Sequence, residues 1–137
     1  MSALADLLGV RRLTEVVDVG ANPIDGAPPY KPLLERNLCR VTGFEPQQSA
    51  FNDLQLRKGP NERYLPYAVG DGGTHTLNIC VASGLTSLLE PDDANLSLFE
   101  MLRPLAEVIE RVPLQTRKLD DMVEVDELDF LKLDIQG

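Results

Sequence analysis

The chain has 137 residues and a formal net charge of −9, a length that fits one domain with a sizeable buried core. The acidic excess disfavours nucleic acid as the main partner, because two polyanions repel each other. No apolar run approaches the roughly 18 residues that span a bilayer, and the N-terminus lacks the basic start and long apolar stretch of a secretory signal.

The two cysteines, Cys39 and Cys80, both stand in apolar runs that are typical of strands. Their spacing is not that of a metal or redox motif. We therefore predict two buried thiols in a reducing compartment, and a cytoplasmic protein. Asp134 with Asp120 or Asp121 would be a conceivable metal site, but no histidine or cysteine stands at ligand spacing, so the sequence predicts none.

The first half of the chain alternates between amphipathic segments and short apolar runs. The pattern predicts helices over residues 2–9, 30–37 and 47–58, and strands over residues 15–20, 41–46 and 63–70. Glycine or proline closes each of these strands. Alternation of strands and helices predicts right-handed crossovers and a parallel sheet.

The second half of the chain has a different rhythm. Alternating side chains predict strands over residues 76–82 and 108–119, with a helical excursion over 92–103 between them, and residues 128–135 form the last strand. The sequence thus predicts an α/β fold: a Rossmann-like, mainly parallel sheet with flanking helices, plus an inserted strand pair before the last strand. A single domain would cover residues 1–137.

Acidic residues and turn formers stand at the ends of predicted strands. They occur in Asp18-Val19-Gly20, Glu45-Pro46, Gly70-Asp71 and Asp134-Ile135-Gln136-Gly137. Ligands of parallel sheets bind beyond these carboxyl ends. Gly20 permits a sharp turn and a close ligand approach, and Glu45 would accept hydrogen bonds from both hydroxyls of a ribose.

The spacing of these residues decides between two kinds of nucleotide ligand. Gly20 and Glu45 are 25 positions apart, against about 20 in dinucleotide sites. The G-x-G-x-x-G fingerprint that cradles a pyrophosphate is absent. A nucleoside ligand without phosphates therefore fits the pattern better than a dinucleotide.

Six segments resemble one known family in their order and approximate spacing. The segments are VVDVGANP, VTGFEP, LPYAVGD, SGLTSLL, LQTRKLDDM and LDFLKLDIQG. They resemble the FkbM-type S-adenosylmethionine-dependent methyltransferases over roughly residues 14–137. The resemblance implies a Rossmann-like sheet that binds S-adenosylmethionine across the first strand ends and releases S-adenosylhomocysteine.

The resemblance also implies roles for individual residues. It implies that Gly20, Ala21 and Asn22 line the methionine side of the cofactor. Asp18 would orient that loop or receive the ammonium group. Glu45 would hold the ribose and Pro46 would help to fix it. Ala68, Val69 and Asp71 would receive the adenine, and Asp134 and Gln136 would lie beside the methyl donor.

The activity implied by the resemblance is O-methylation of a hydroxyl on a sugar or small natural product, so the partner would be a small-molecule or glycan acceptor. Asp134 is the best-placed general base for an alcohol. Simpler roles stay open, since Asp18 would also cap a turn and Glu45 would also suit a solvated strand end. The alternative functions are a non-catalytic adenosyl-binding or scaffold domain and a nicotinamide-dependent oxidoreductase.

The sequence departs from the family pattern at two places. The loop of residues 23–30, PIDGAPPY, replaces a short turn into the first helix, and we expect it to form a lid or substrate contact that brings Asp25 or Tyr30 over the site. The family pattern also continues beyond the last strand, so we expect a truncated chain. Such a chain would bind cofactor weakly, associate through an exposed sheet edge, or be inactive.

Overall fold

The computed structural model describes residues 7, 9, 12–24 and 26–135. The helix predicted over residues 2–9 falls almost entirely outside the described residues, and Asp25 and Gln136 fall outside them altogether.

The described part of the chain contains seven strands and three α-helices. The strands are β1 (Thr14–Val19), β2 (Cys39–Phe44), β3 (Glu62–Leu65), β4 (Ala68–Val69), β5 (Thr74–Cys80), β6 (Val108–Arg117) and β7 (Phe130–Leu133). The helices are α1 (Lys31–Glu35), α2 (Gln48–Arg57) and α3 (Asp93–Leu96), with short 3₁₀ turns at Ser83–Leu85 and Leu119–Asp121.

Four of the strands form a parallel sheet in the order β3-β2-β1-β7. Its two central strands are covered on both faces, which is why they read as continuous apolar runs. On one face, Val16 and Val41 pack with Tyr30. On the other face, Val17 and Phe44 pack with Met122. This mainly parallel sheet with flanking helices confirms the predicted Rossmann-like α/β class.

The inserted strand pair is present. β5 and β6 pair antiparallel, from Thr74 opposite Gln115 to Cys80 opposite Val108. Both cysteines are free and buried, and burial raises the pKa of each thiol.

The third predicted strand, residues 63–70, is wrong as a single element. β3 pairs with β2 in the parallel sheet, whereas β4 pairs with β6 in a second sheet of three strands, in the order β4-β6-β5. Pro66 lies between them. Proline has no amide hydrogen to continue a ladder, so the chain changes sheets at this point.

The helical excursion predicted over residues 92–103 is mostly wrong, because only Asp93–Leu96 is α-helical. The Asp92 side chain caps this helix by accepting from the backbone N–H of Ala94, and turns follow. The large side chains of the turns are exposed, for example Met101 at 87% and Leu98 at 75%. Without an apolar face packed on the core, a short helix is marginal.

The strand β7 is shorter than the predicted 128–135 and lies at the side of the parallel sheet next to β1. Its apolar side chains are partly exposed, with Phe130 at 43% and Leu133 at 61%. Within the described residues, β7 pairs with β1 only. Association of two copies through this edge stays a prediction.

Candidate functional site

A cleft of about 590 Å³ opens at the carboxyl ends of the strands, a size that suits a small-molecule ligand. The structure brings together in its lining seven of the residues predicted for the site: Gly20, Asn22, Glu45, Pro46, Ala68, Val69 and Asp134. These residues come from the ends of β1, β2 and β7 and from β4.

Gly20 forms the sharp turn at the end of β1. Its φ angle is 79°, a left-handed conformation that favours glycine. A Cβ at this position would overlap the carbonyl oxygen of Asp134 and lie 2.8 Å from Cγ2 of Ile135. The glycine is therefore required by the chain that follows β7, as well as by the turn.

Glu45 lies one residue beyond β2 and is only 6% exposed. Its Oε1 accepts from the backbone N–H of Gln47 at 2.9 Å, and Oε2 accepts from Asn22 N–H at 3.3 Å. Burial raises the pKa of Glu45, the nearby charge of Asp18 acts in the same direction, and the two N–H groups oppose the shift. Since a carboxylate has about four acceptor positions, Glu45 retains capacity for two further donors from the cleft.

Asp18, near the end of β1, does not line the cleft and is 1% exposed. Oδ2 accepts from the Tyr30 hydroxyl at 2.6 Å, and Oδ1 accepts from Lys132 Nζ at 2.9 Å. Burial raises the pKa of Asp18, and both hydrogen bonds oppose that shift. Tyr30, at the end of the 20–30 segment, is thereby held to β1. At the start of the segment, the carbonyl oxygen of Gly20 accepts from Lys132 on β7 at 3.5 Å.

The expectation that Tyr30 lies over the site is wrong. Tyr30 is 3% exposed and packs on Val16 and Cys39, with its hydroxyl bound to Asp18. Burial raises the pKa of this phenol, and the Asp18 carboxylate raises it further. The loop reaches the cleft instead through Ile24, which lines it.

Besides Asp18, two other predicted residues lie outside the cleft lining. Ala21 packs with Leu54 and Tyr64 on the side of α2. Asp71 is exposed in the turn before β5, where it accepts from Gly73 N–H and contacts Nε2 of His75 at 2.8 Å. These contacts lower the pKa of Asp71 to about 2, and the hydrogen bond with His75 contributes most.

Asp134 reaches the cleft from the end of β7. Its backbone N–H donates to Val19 O at 3.1 Å, and its side chain is 64% exposed. Lys132 Nζ lies 3.7 Å from its Oδ2. Sequence reasoning did not identify Lys132, although its position two residues before Asp134 puts both side chains on the same face of the strand.

The opposite wall of the cleft is mainly apolar, with Ser83, Thr86 and Ser87 among its leucines, and was not predicted. It consists of Leu77 on β5, residues 82–88, and Leu102 and Leu105. Ile24 lies against this wall, since a Cβ on Gly84 would be 3.1 Å from its Cγ2. Tyr67, also in the lining, is covered by the Arg117 guanidinium at 3.8 Å from the ring centre.

Residues 7, 9, 12–24 and 26–135 contain neither a candidate metal site nor a candidate membrane-spanning helix. Within these residues no group of three or more histidine, cysteine, aspartate or glutamate side chains is placed to hold a metal ion. In the same part of the chain, no helix has the length and apolar character needed to cross a membrane.

The parallel sheet, its flanking helices and a cleft at the strand ends define a Rossmann-like α/β protein. The family model described as "Methyltransferase FkbM domain" matches residues 18–137. The match covers most of the chain, so the protein belongs to the FkbM methyltransferase domain family, as the motifs predicted. No curated protein and no solved structure matches the chain significantly.

Proposed function

We propose that the protein is an S-adenosylmethionine-dependent O-methyltransferase whose cofactor occupies the cleft and whose acceptor is a hydroxyl on a sugar or small natural product. Glu45 carries this proposal. It is a buried carboxylate that lines the cleft and retains acceptor positions suited to a pair of ribose hydroxyls.

The residues around Glu45 support the proposal of this cofactor. Gly20 and Asn22 would hold its methionine end, and Ala68 and Val69 would form one side of the adenine pocket. Tyr67, fixed under Arg117, adds an aromatic surface there. When bound, S-adenosylmethionine supplies an electrophilic methyl group on a sulfonium.

The remaining task of the protein is to align an acceptor oxygen and to exclude water. Asp134 would orient the acceptor hydroxyl or take its proton, because it lines the cleft and its side chain is exposed. The apolar wall would exclude water from the other side of the cleft.

Calorimetry with S-adenosylhomocysteine tests the proposal on the wild type and on Glu45→Ala. Loss of hydrogen bonds to a charged group predicts a binding penalty of about 1.5–3 kcal/mol for the variant. Glu35→Ala is the matched control, since this side chain is 65% exposed on α1 and does not line the cleft. Absence of binding by a folded wild type would overturn the proposal.

Two further results would favour the alternative functions. Binding of S-adenosylhomocysteine without methyl transfer to any of a panel of hydroxyl acceptors would favour a non-catalytic adenosyl-binding domain. Binding of a nicotinamide dinucleotide, with none of S-adenosylhomocysteine, would favour an oxidoreductase.

A further inference from the structure

Lys132 joins three structural features where β1 and β7 end side by side. The two strands are in register with Asp18 opposite Lys132. The ammonium Nζ lies 2.9 Å from Asp18 Oδ1, 3.5 Å from Gly20 O and 3.7 Å from Asp134 Oδ2. Its side chain is 17% exposed, and it does not belong to the cleft lining.

The three acceptors belong to different parts of the site. Asp18 is the buried anchor of the loop, whereas Gly20 and Asp134 both line the cleft. A lysine ammonium has three donors and no acceptor, so one group faces all three oxygens. Any displacement of Lys132 therefore alters the Gly20 peptide and the Asp134 carboxylate together.

The charges at this point explain why a cation is needed. Asp18 and Asp134 carry like charges, and burial raises the pKa of Asp18, with the charge of Asp134 adding to the shift. Lys132 lies between the two carboxylates and attracts both. Without it, repulsion would favour a rotation of the exposed Asp134 side chain away from the turn.

We propose that Lys132 is a positioning residue for the methionine end of the S-adenosyl cofactor. This inference rests on the proposed function. Because Lys132 does not line the cleft, it would act without contacting the cofactor. It holds the Gly20 carbonyl beside the amino-acid part of the ligand and the Asp134 carboxylate beside the methyl donor, and it leaves the Glu45 end of the cleft unchanged.

Two ligands that differ only at the methionine end test the role of Lys132. S-adenosylhomocysteine carries the amino-acid end, and 5′-methylthioadenosine lacks it. For Lys132→Met we expect the Kd of S-adenosylhomocysteine to rise about tenfold, because the groups that Lys132 holds lose their orientation, as when an outer-shell partner of a binding residue is removed. The Kd of 5′-methylthioadenosine should change less than about twofold. Lys132→Arg keeps the charge with a different geometry, so it should recover part of the affinity.

A second variant guards against misfolding, because Lys132→Met leaves a buried carboxylate without its cation. Asp18→Asn with Lys132→Met replaces the ion pair by neutral groups, so we expect it to melt closer to wild type. It should keep the selective loss, because the Gly20 carbonyl still lacks the ammonium donor. If Lys132→Met does not fold, this double variant decides the question.

The outcomes separate this inference from the proposed function. If Lys132→Met weakens the binding of both ligands equally, Lys132 has a merely structural role. If it weakens the binding of neither ligand, Lys132 has no role in binding. Both results would overturn the inference while the proposed function stands. A wild type that binds neither ligand would overturn the proposed function and the inference with it.

Discussion

The carboxyl ends of β1 and β2 carry similar residues that the structure satisfies in different ways. Asp18 and Glu45 are both buried, at 1% and 6% exposure. Asp18 is bound by two side chains, a phenol and an ammonium, and does not line the cleft. Glu45 is bound by two backbone N–H groups and lines the cleft. The partners of a buried carboxylate thus indicate whether it anchors the fold or has acceptor positions for a ligand.

The largest expected effect concerns the anchor. Asp18→Ala leaves the Lys132 ammonium without its closest partner and the buried Tyr30 hydroxyl without an acceptor, so the free energy of unfolding should fall by about 3 kcal/mol. Urea denaturation measures this loss. Asp53→Ala, an exposed carboxylate on α2, is the control and should stay within about 0.5 kcal/mol of wild type. Unchanged stability in Asp18→Ala would contradict the distinction drawn between the two carboxylates.

A second prediction concerns Gly20, which lies between the anchor and the cleft. Gly20→Ala forces a left-handed backbone and a contact with Asp134, so we expect a loss of about 2 kcal/mol in the free energy of unfolding. Gly26→Ala is the matched control, because Gly26 also has a positive φ of 109° but no heavy atom within 4 Å of an added Cβ. An equal loss in both variants would show that the Asp134 contact contributes nothing.

The smallest effect is a pH dependence at Glu45. Its pKa is raised above the ordinary 4.5, so its contribution to the free energy of unfolding is present below pH 4.5 and is lost as the pH rises through the raised pKa. The ionised carboxylate is the form that accepts from ribose hydroxyls. Affinity for S-adenosylhomocysteine should therefore rise over the same pH range.

Glu45→Gln separates this contribution from that of Asp18, whose pKa is also raised. The difference in unfolding free energy between wild type and variant should vary with pH in the stated direction, as measured by urea denaturation at several pH values. A constant difference would show that Glu45 does not titrate differently in the folded protein.

The fold was predictable where local signals agreed with tertiary packing. β1, β2 and α2 lie close to their predicted bounds, since apolar periodicity and glycine or proline breakers act over a few residues. The predictions over 63–70 and 92–103 were wrong for different reasons. Pro66 divides the first segment between two sheets, and the second has apolar residues that the fold leaves exposed.

The site was predictable only in part. Glu45, Gly20 and Asp134 could be placed because the strand ends of a parallel sheet converge on one edge. Lys132 could not, since its contact with Asp18 joins residues 114 positions apart and depends on strand order. The apolar wall around Leu102 and Leu105 depends likewise on how the chain between β5 and β6 folds back.

Residues 16–30, VVDVGANPIDGAPPY, show which features follow from the sequence and which from the tertiary structure. The sequence by itself determined a buried strand, a glycine turn and an irregular loop, because apolar periodicity, glycine and proline restrict the local backbone. Only the tertiary structure decided that Tyr30 turns inward to Asp18 while Ile24 faces the cleft. Those orientations depend on β7 and on residues 82–88, which are distant in sequence and become neighbours only through packing.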